Sequence, residues 1–461
     1  MECLVRISNT DKYKYIKLPA ARSQLPEAIS MQNIQQLQSG ELIGTKHLKF
    51  SCGLTAFPLE ILDLADTLEI LDLSNNQLES LPNDFGKLHQ LKIAFFSDNN
   101  FTELPSVLGQ CKNLEMVGFK SNKITKINQD TFPEKLRWLI LTNNFIEEIP
   151  ASFGKCYRMQ KLALAGNQIK QLPAEMANLK NLELIRISDN LLTEIPSWIF
   201  ELPKLSWIAF AGNPVSEMEQ ITHSLSGIDW NHLDIQNVLG QGASGIISKA
   251  ILKDEEVAVK IFKGDVTSDG SPLNEKNATM AAGVHPNLVQ VLGKIINHPD
   301  DKKGLVLGLI PPSFKNLGNP PNYETCSRDT FNENTVFTSQ EILKIAKGIS
   351  SVAKHLHALG INHGDLYAHN IMYDETANNL LGDFGAATFY NPKSNEAEAI
   401  EKIEVRAFGC LLDDMLMHTN EIENNSVIQL LAELRNDCMQ ESILSRPNFE
   451  SICEQLDIIN L

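Results

Sequence analysis

Apolar positions return along residues 45–215 with a period of about 23. The clearest copy starts at Leu68 and reads LEILDLSNNQLESLPNDFGKL, on the skeleton L-x-x-L-x-L-x-x-N-x-L-x-x-L-P. Its asparagine recurs at Asn76, Asn99, Asn122, Asn144, Asn167, Asn190 and Asn213, and its proline at Pro82, Pro105, Pro150, Pro173 and Pro196. An earlier, degenerate copy lies around HLKFSCGLTAFP, with Cys52 near the asparagine place. The pattern predicts a solenoid in which each repeat gives a short strand, a turn and a loose convex segment. The leucines stack into one core, and the asparagines bond backbone groups from coil to coil. Residues 31–44 predict a polar-faced helix capping the first coil, and residues 1–30 carry no period and read as an extension.

The period ends near residue 215, and residues 216–232 read as a short linker without a Gly/Ser- or Pro-rich run. A joint that short does not allow free tumbling. The open end of a solenoid also needs a cover, and the N-terminal part of the second domain, residues 233–461, is the nearest. Within that domain EVAVKIF predicts a strand, and the Pro- and Asn-rich stretch from Pro311 to residue 337 predicts a loop. That loop is expected either to shape substrate access or to be inert surface.

Four segments of the second domain carry chemistry, in the order LGQGASGI, EVAVKIF, INHGDLYAHNIMYD and LGDFGAA. Together they resemble the eukaryotic-type protein kinase domain, and the repeats resemble leucine-rich repeats of the short bacterial type. The whole chain therefore resembles a bacterial leucine-rich-repeat protein kinase. The fold implied is an α/β repeat solenoid followed by an α+β bilobal kinase-like domain.

The resemblance implies ATP and Mg²⁺ as cofactors. Gly240, Gly242 and Gly245 would cover the phosphates, flanked by Leu239, Ser244, Ile247 and Ala258. Lys260 would reach the α- and β-phosphates, held by Glu275. Asp365 would orient the acceptor hydroxyl and take its proton. Asn370 and Asp383 would hold the metal, being hard oxygen donors for a hard cation. His363 is expected to support the loop and not to act as a base.

The pattern also breaks. Gly364 stands where the family has an arginine that binds an activation-loop phosphate, so activation by loop phosphorylation is not expected. Tyr367 replaces the lysine common in Ser/Thr kinases, no APE triplet follows Gly385, and Glu404 stands for a buried aspartate. Arg446 then needs a partner, with Glu398 and Glu401 the candidates. These losses leave three readings: a protein kinase, in all expectation Ser/Thr; a nucleotide-binding pseudokinase scaffold; and a small-molecule phosphotransferase, since aminoglycoside-type enzymes also carry HGD loops.

The variable strand positions place Asp72, Phe95, Gly118, Ile140, Ala163, Arg186 and Ala209 on the concave face, with Met116, Trp138 and Trp207 beside them. Rows of Phe, Met, Trp and Ile are rarely left open without cause. Phe95, Met116, Trp138, Ile140 and Trp207 are thus the candidate partner-binding patch, for a protein substrate or regulator. Packing against the kinase domain is the competing expectation.

A net charge of −17 and the absence of any basic run argue against nucleic acid. The scattered cysteines form no metal motif, with Cys410 and Cys453 reading as buried hydrophobes, and suit a reducing compartment. No signal-peptide core and no apolar run of about 20 residues is present. The expectation is a cytoplasmic protein, with export into a host cell left open.

Overall fold

The computed structural model describes residues 32–216, 226–242, 244–263, 267, 269–421 and 425–459. The expected extension over residues 1–30 and most of the linker lie outside them. Each coil of the first domain is built on one three-residue strand. Eight of these run parallel in one sheet: β1 (His47–Lys49), β2 (Ile70–Asp72), β3 (Ile93–Phe95), β4 (Met116–Gly118), β5 (Trp138–Ile140), β6 (Lys161–Ala163), β7 (Leu184–Arg186) and β8 (Trp207–Ala209). The register does not slip: Leu71 lies opposite Ala94, Val117 opposite Leu139, and Ile185 opposite Ile208. These middle residues are buried. Because side chains alternate along a strand, the flanking residues of each triplet form the concave face.

The asparagines do what the repeat predicts. Asn144 Nδ2 donates to Phe119 O at 2.9 Å in the preceding coil and to Leu141 O at 3.0 Å in its own, while Oδ1 accepts from Ile124 N at 3.0 Å. Asn76, Asn99, Asn122, Asn167, Asn190 and Asn213 likewise reach a carbonyl of the preceding coil. The residue before each asparagine has a left-handed backbone, from Asp189 at φ 50° to Gly212 at φ 71°. Asn, Asp and Gly fill most of these positions because they tolerate that conformation. The recurring prolines then fix φ at the start of a 3₁₀ turn on the convex side. At the first coil, α1 (Ile34–Gln38) starts from a reciprocal Asn33–Gln36 cap and buries Leu37.

Gly227–Asp229, within the expected linker, is already a strand of the second domain, β9. It pairs in parallel with β13 (Val291–Ile296). The remaining strands of that sheet are β10 (Leu233–Gln241), β11 (Gly245–Leu252), β12 (Glu255–Phe262) and β14 (Gly304–Gly308), in the order β9-β13-β14-β12-β11-β10. Helix α2 (Pro272–Ala281) follows β12 in the chain. The other lobe is helical, with α3 (Ser339–Ala358), α4 (Ala397–Met417), α5 (Ser426–Cys438) and α6 (Phe449–Ile458). Apolar residues at helical spacing along α3, such as Ile342, Ile349, Val352 and Leu356, are buried. Between α3 and α4, the strands β15 (Ile371–Tyr373) and β16 (Asn379–Leu381) form an antiparallel pair.

The two domains share their cores. Tyr390, Ile400, Ile403 and Ile443 join the hydrophobic core of the solenoid, and Leu184 and Trp207 join that of the helical lobe. The cover over the last coils is therefore the helical lobe, not the N-terminal lobe expected from chain proximity. Arg446 is corrected too. It is buried, and its guanidinium donates to the carbonyls of Gln440, Lys402 and, across the interface, Pro203 at 2.8–3.0 Å. Glu398 pairs with Lys402 and Glu401 accepts from Phe449 N, so neither serves it. Burial lowers the Arg446 pKa to about 9. Cys410 is buried as expected, whereas Cys453 is half-exposed.

Candidate active site

The glycine turn joins β10 to β11, with Gly242 N donating to Gly245 O at 3.0 Å. Gly245 has no room for a side chain, since a Cβ would lie 2.5 Å from Ile261 O. A Cβ on Gly242 would meet nothing within 4 Å, so the tip of the turn faces open space. Lys263 Nζ holds it from below, donating to Gly242 O at 2.9 Å. Gly240 pairs with Ile247, Ile247 with Lys260, and Lys249 with Ala258. Ala258 is buried, and Leu239, Ser244 and Ile247 are half-buried.

Lys260 forms an ion pair with Glu275 of α2, and both side chains are largely buried. Ser271 caps that helix and places the glutamate in its first turn. Burial raises the Glu275 pKa, against the opposing pull of the Lys260 ammonium.

Glu404 of α4 fixes the loop that carries Asp365. Its carboxylate accepts from Gly364 N at 2.6 Å, His363 N at 3.2 Å and His357 Nε2 at 2.8 Å. Burial works to raise its pKa, but these donors more than offset it and hold the group below its ordinary value. Both ring nitrogens of His363 are spent on backbone: Nδ1 accepts from Asp365 N at 3.3 Å and Nε2 donates to Gly382 O at 3.0 Å. That leaves His363 no role as a base.

Asn370 Nδ2 donates to Asp365 O at 2.9 Å and to Asp365 Oδ2 at 2.8 Å. Asp383 is exposed, in a left-handed backbone at φ 54°, and its Oδ1 accepts from Gly385 N at 3.1 Å. Burial pushes the Asp365 pKa above the ordinary carboxylate value, against the pull of the Arg186 guanidinium.

The neighbours of Asp365 on its open side come from the repeats. Arg186 Nη2 donates to Asp365 Oδ1, Nη1 to Gly364 O at 2.9 Å, and Nε to Asp269 Oδ1 at 2.8 Å. The Trp207 indole lies parallel to the Tyr367 ring, with centroids 4.2 Å apart, and its Nε1 donates to Leu366 O at 3.1 Å. Trp207 is thus buried, covered by the kinase-like domain rather than open to an outside partner, and Met116 is buried as well. Phe95 lies 6.1 Å from the Tyr323 ring, Lys161 Nζ sits 4.4 Å over Trp138, and Ile140 is half-buried.

The stretch after Pro311 is a clasp and not inert surface. Arg137 donates to the carbonyls of Tyr323 and Glu324, and Ser327 donates to Glu183. On the other side Arg328 bridges Asp413 and Asp414, and Asp329 accepts from His369 Nδ1 at 2.7 Å. Burial raises the Asp414 pKa to about 7 despite Arg328.

Sequence reasoning missed Arg186, Asp269 and Asp329. The one available signal was a guanidinium in a row otherwise rich in Phe, Ile, Ala and Gly.

The protein kinase domain model matches residues 233–406, and leucine-rich-repeat models match 67–88, 112–169 and 157–215. A probable serine/threonine-protein kinase of Dictyostelium discoideum is 24% identical over 268 residues, 50% of this chain and 16% of that protein. The L-type lectin-domain containing receptor kinase I.8 of Arabidopsis thaliana is 29% identical over 232 residues, 45% of this chain and 33% of that one. This chain thus spans a third or less of these two relatives. A leucine-rich-repeat protein of Leptospira interrogans aligns with 39% of this chain and 52% of its own, at 26% identity and a TM-score of 0.34. Within the chain, leucine-rich repeats are followed by a protein kinase domain. Among the described residues, no helix is long and apolar enough to cross a membrane.

A protein kinase domain implies ATP and a divalent metal, and the residues present fit both. Asp383 offers an exposed carboxylate, and Asn370, whose amide nitrogen is spent on Asp365, keeps its carbonyl oxygen for a cation. Two protein oxygens suit an ion that completes its shell with phosphate and water.

Proposed function

We propose that the chain is an ATP-dependent protein kinase that phosphorylates a serine or threonine hydroxyl. The observation that carries this reading is the buried Lys260–Glu275 pair under the glycine turn, combined with Asp365, Asn370 and Asp383 in one loop system. Bound ATP with its Mg²⁺ would supply the transferable γ-phosphoryl group. Lys260, steadied by Glu275, would hold the α- and β-phosphates. Asp365 would align the acceptor hydroxyl and receive its proton on a carboxylate oxygen. Asn370 would fix that carboxylate through its amide and offer its carbonyl to the metal beside Asp383. Positioning and fixed charge supply most of such catalysis.

A small hydroxyl compound is the second acceptor reading, favoured by the repeats that wall the open side of Asp365. The test is γ-phosphate transfer to protein acceptors and to small alcohols by wild type and Asp365→Asn. Transfer to protein that Asp365→Asn loses supports the reading. Transfer confined to alcohols, or equal in both proteins, rejects it.

A further inference from the structure

The acceptor side of Asp365 is closed by the chain's own repeats. Both carboxylate oxygens are engaged, Oδ1 by Arg186 and Oδ2 by Asn370. The Arg186 residue is 2% exposed. It reaches Asp365 and Gly364 O in the catalytic loop and Asp269 in the segment leading to α2, so one side chain ties the repeats to both kinase lobes. Asp189, three residues on in the same coil, accepts from Asn274 of α2 at 3.2 Å. The Trp207 stack on Tyr367 fills the space beside it. An acceptor hydroxyl must come within about 3 Å of the base that takes its proton. Here β7 and β8 occupy that approach.

Gly364 records how close the approach is. Its φ is 72°, and a Cβ there would lie 2.6 Å from Ile208 O of β8 and 2.7 Å from Ala386 O. The catalytic loop can accept the repeat backbone only because that position has no side chain.

We infer that the repeat domain is an intramolecular inhibitory cover over the acceptor site, with Arg186 as its latch. The inference rests on the kinase reading of Asp365. An arginine suits the role because it satisfies the carboxylate and offers no hydroxyl to phosphorylate. The alternative is a cation that assists transfer. The guanidinium nitrogens are instead turned to Asp269, Gly364 O and Asp365, and burial of the side chain inside the contact keeps its two remaining N–H groups from a phosphoryl group.

Arg186→Ala and, independently, Trp207→Ala are expected to raise transfer to a casein acceptor by roughly 5- to 150-fold, the usual span of coupling between sites. A third variant locks the cover. Ser206 Oγ lies 4.0 Å from Cys410 Sγ across the interface, so Ser206→Cys places two thiols where oxidation can join them. In reductant this variant should turn over like wild type. Oxidised, it should bind a fluorescent ATP analogue but fall silent, and reduction should restore it, while oxidised wild type keeps its rate. A locked form as fast as the reduced one, or an Arg186→Ala slower than wild type, overturns the cover and leaves the kinase reading standing. No transfer by any form, the opened ones included, overturns both.

Discussion

Arg186 and Asp365 are 179 positions apart in the chain, in different domains, and they share a buried ion pair. Breaking a buried pair by removing one partner is costly because the other is left uncompensated. The pair therefore couples the stability of the interdomain contact to the state of the proposed catalytic base. Nucleotide binding at the proposed Lys260–Glu275 pair, which is not among the hydrogen-bond partners of Arg186, should depend on it little.

Replacing Gly364 with alanine should be severe for its size. The residue would need a left-handed backbone, which costs about 1–2 kcal/mol for a residue with a Cβ. It would also push on Ile208 O and Ala386 O. A lowered melting temperature and faster proteolysis between the domains are expected. An unchanged melting curve would show that the repeats do not press on the loop.

Lys260→Met leaves the buried Glu275 carboxylate without its partner, so it should lower the melting temperature, and it should cut turnover by at least ~100-fold, the scale of losing one oriented charge. Melting curves and initial rates check both halves. Undiminished turnover would remove Lys260 from the mechanism.

The repeats were legible in the sequence because period, asparagine and proline each answer a local demand of the coil. The proposed site residues could be picked out because Gly240, Lys260, Asp365 and Asp383 sit in short motifs set by chemistry. The interface was not. Arg186, Asp269 and Asp329 are ordinary surface types until the two domains meet, and no local period records that meeting. Trp207 stood out as an exposed aromatic in the repeat pattern, but what covers it lies 160 residues away in Tyr367.

Asn144→Ala should destabilise the solenoid by about 3 kcal/mol or more. It strands the buried Ile124 N and removes the donor to Phe119 O and Leu141 O. Denaturant unfolding measures this. A loss under about 1 kcal/mol would mean the ladder contributes little.

His369 sits above its ordinary pKa. Burial opposes its charge, but the Asp329 carboxylate, with Asp365 and Asp383 nearby, more than offsets that. A group raised on folding contributes fully below its unfolded value of about 6.5. The contribution fades as pH rises through the higher folded value. The stability gap between wild type and His369→Gln should therefore shrink as pH rises from about 6 to 8. A gap that is flat or widens would reject the ion pair.

Turnover should not depend on phosphorylating the segment after Gly385. Thr388 is buried, with its hydroxyl accepting from Phe210 N at 3.1 Å, and Tyr390 is buried against His357. Phosphatase treatment before a rate assay checks this, and a collapse in rate would contradict it.

The central claim is phosphoryl transfer at Asp365. The most direct measurement is single-turnover transfer from γ-labelled ATP to a protein acceptor by Arg186→Ala, with and without Asp365→Asn in the same chain. The account predicts label on the acceptor with the single variant and none with the double, while both bind nucleotide equally. Equal labelling by the two proteins would contradict it.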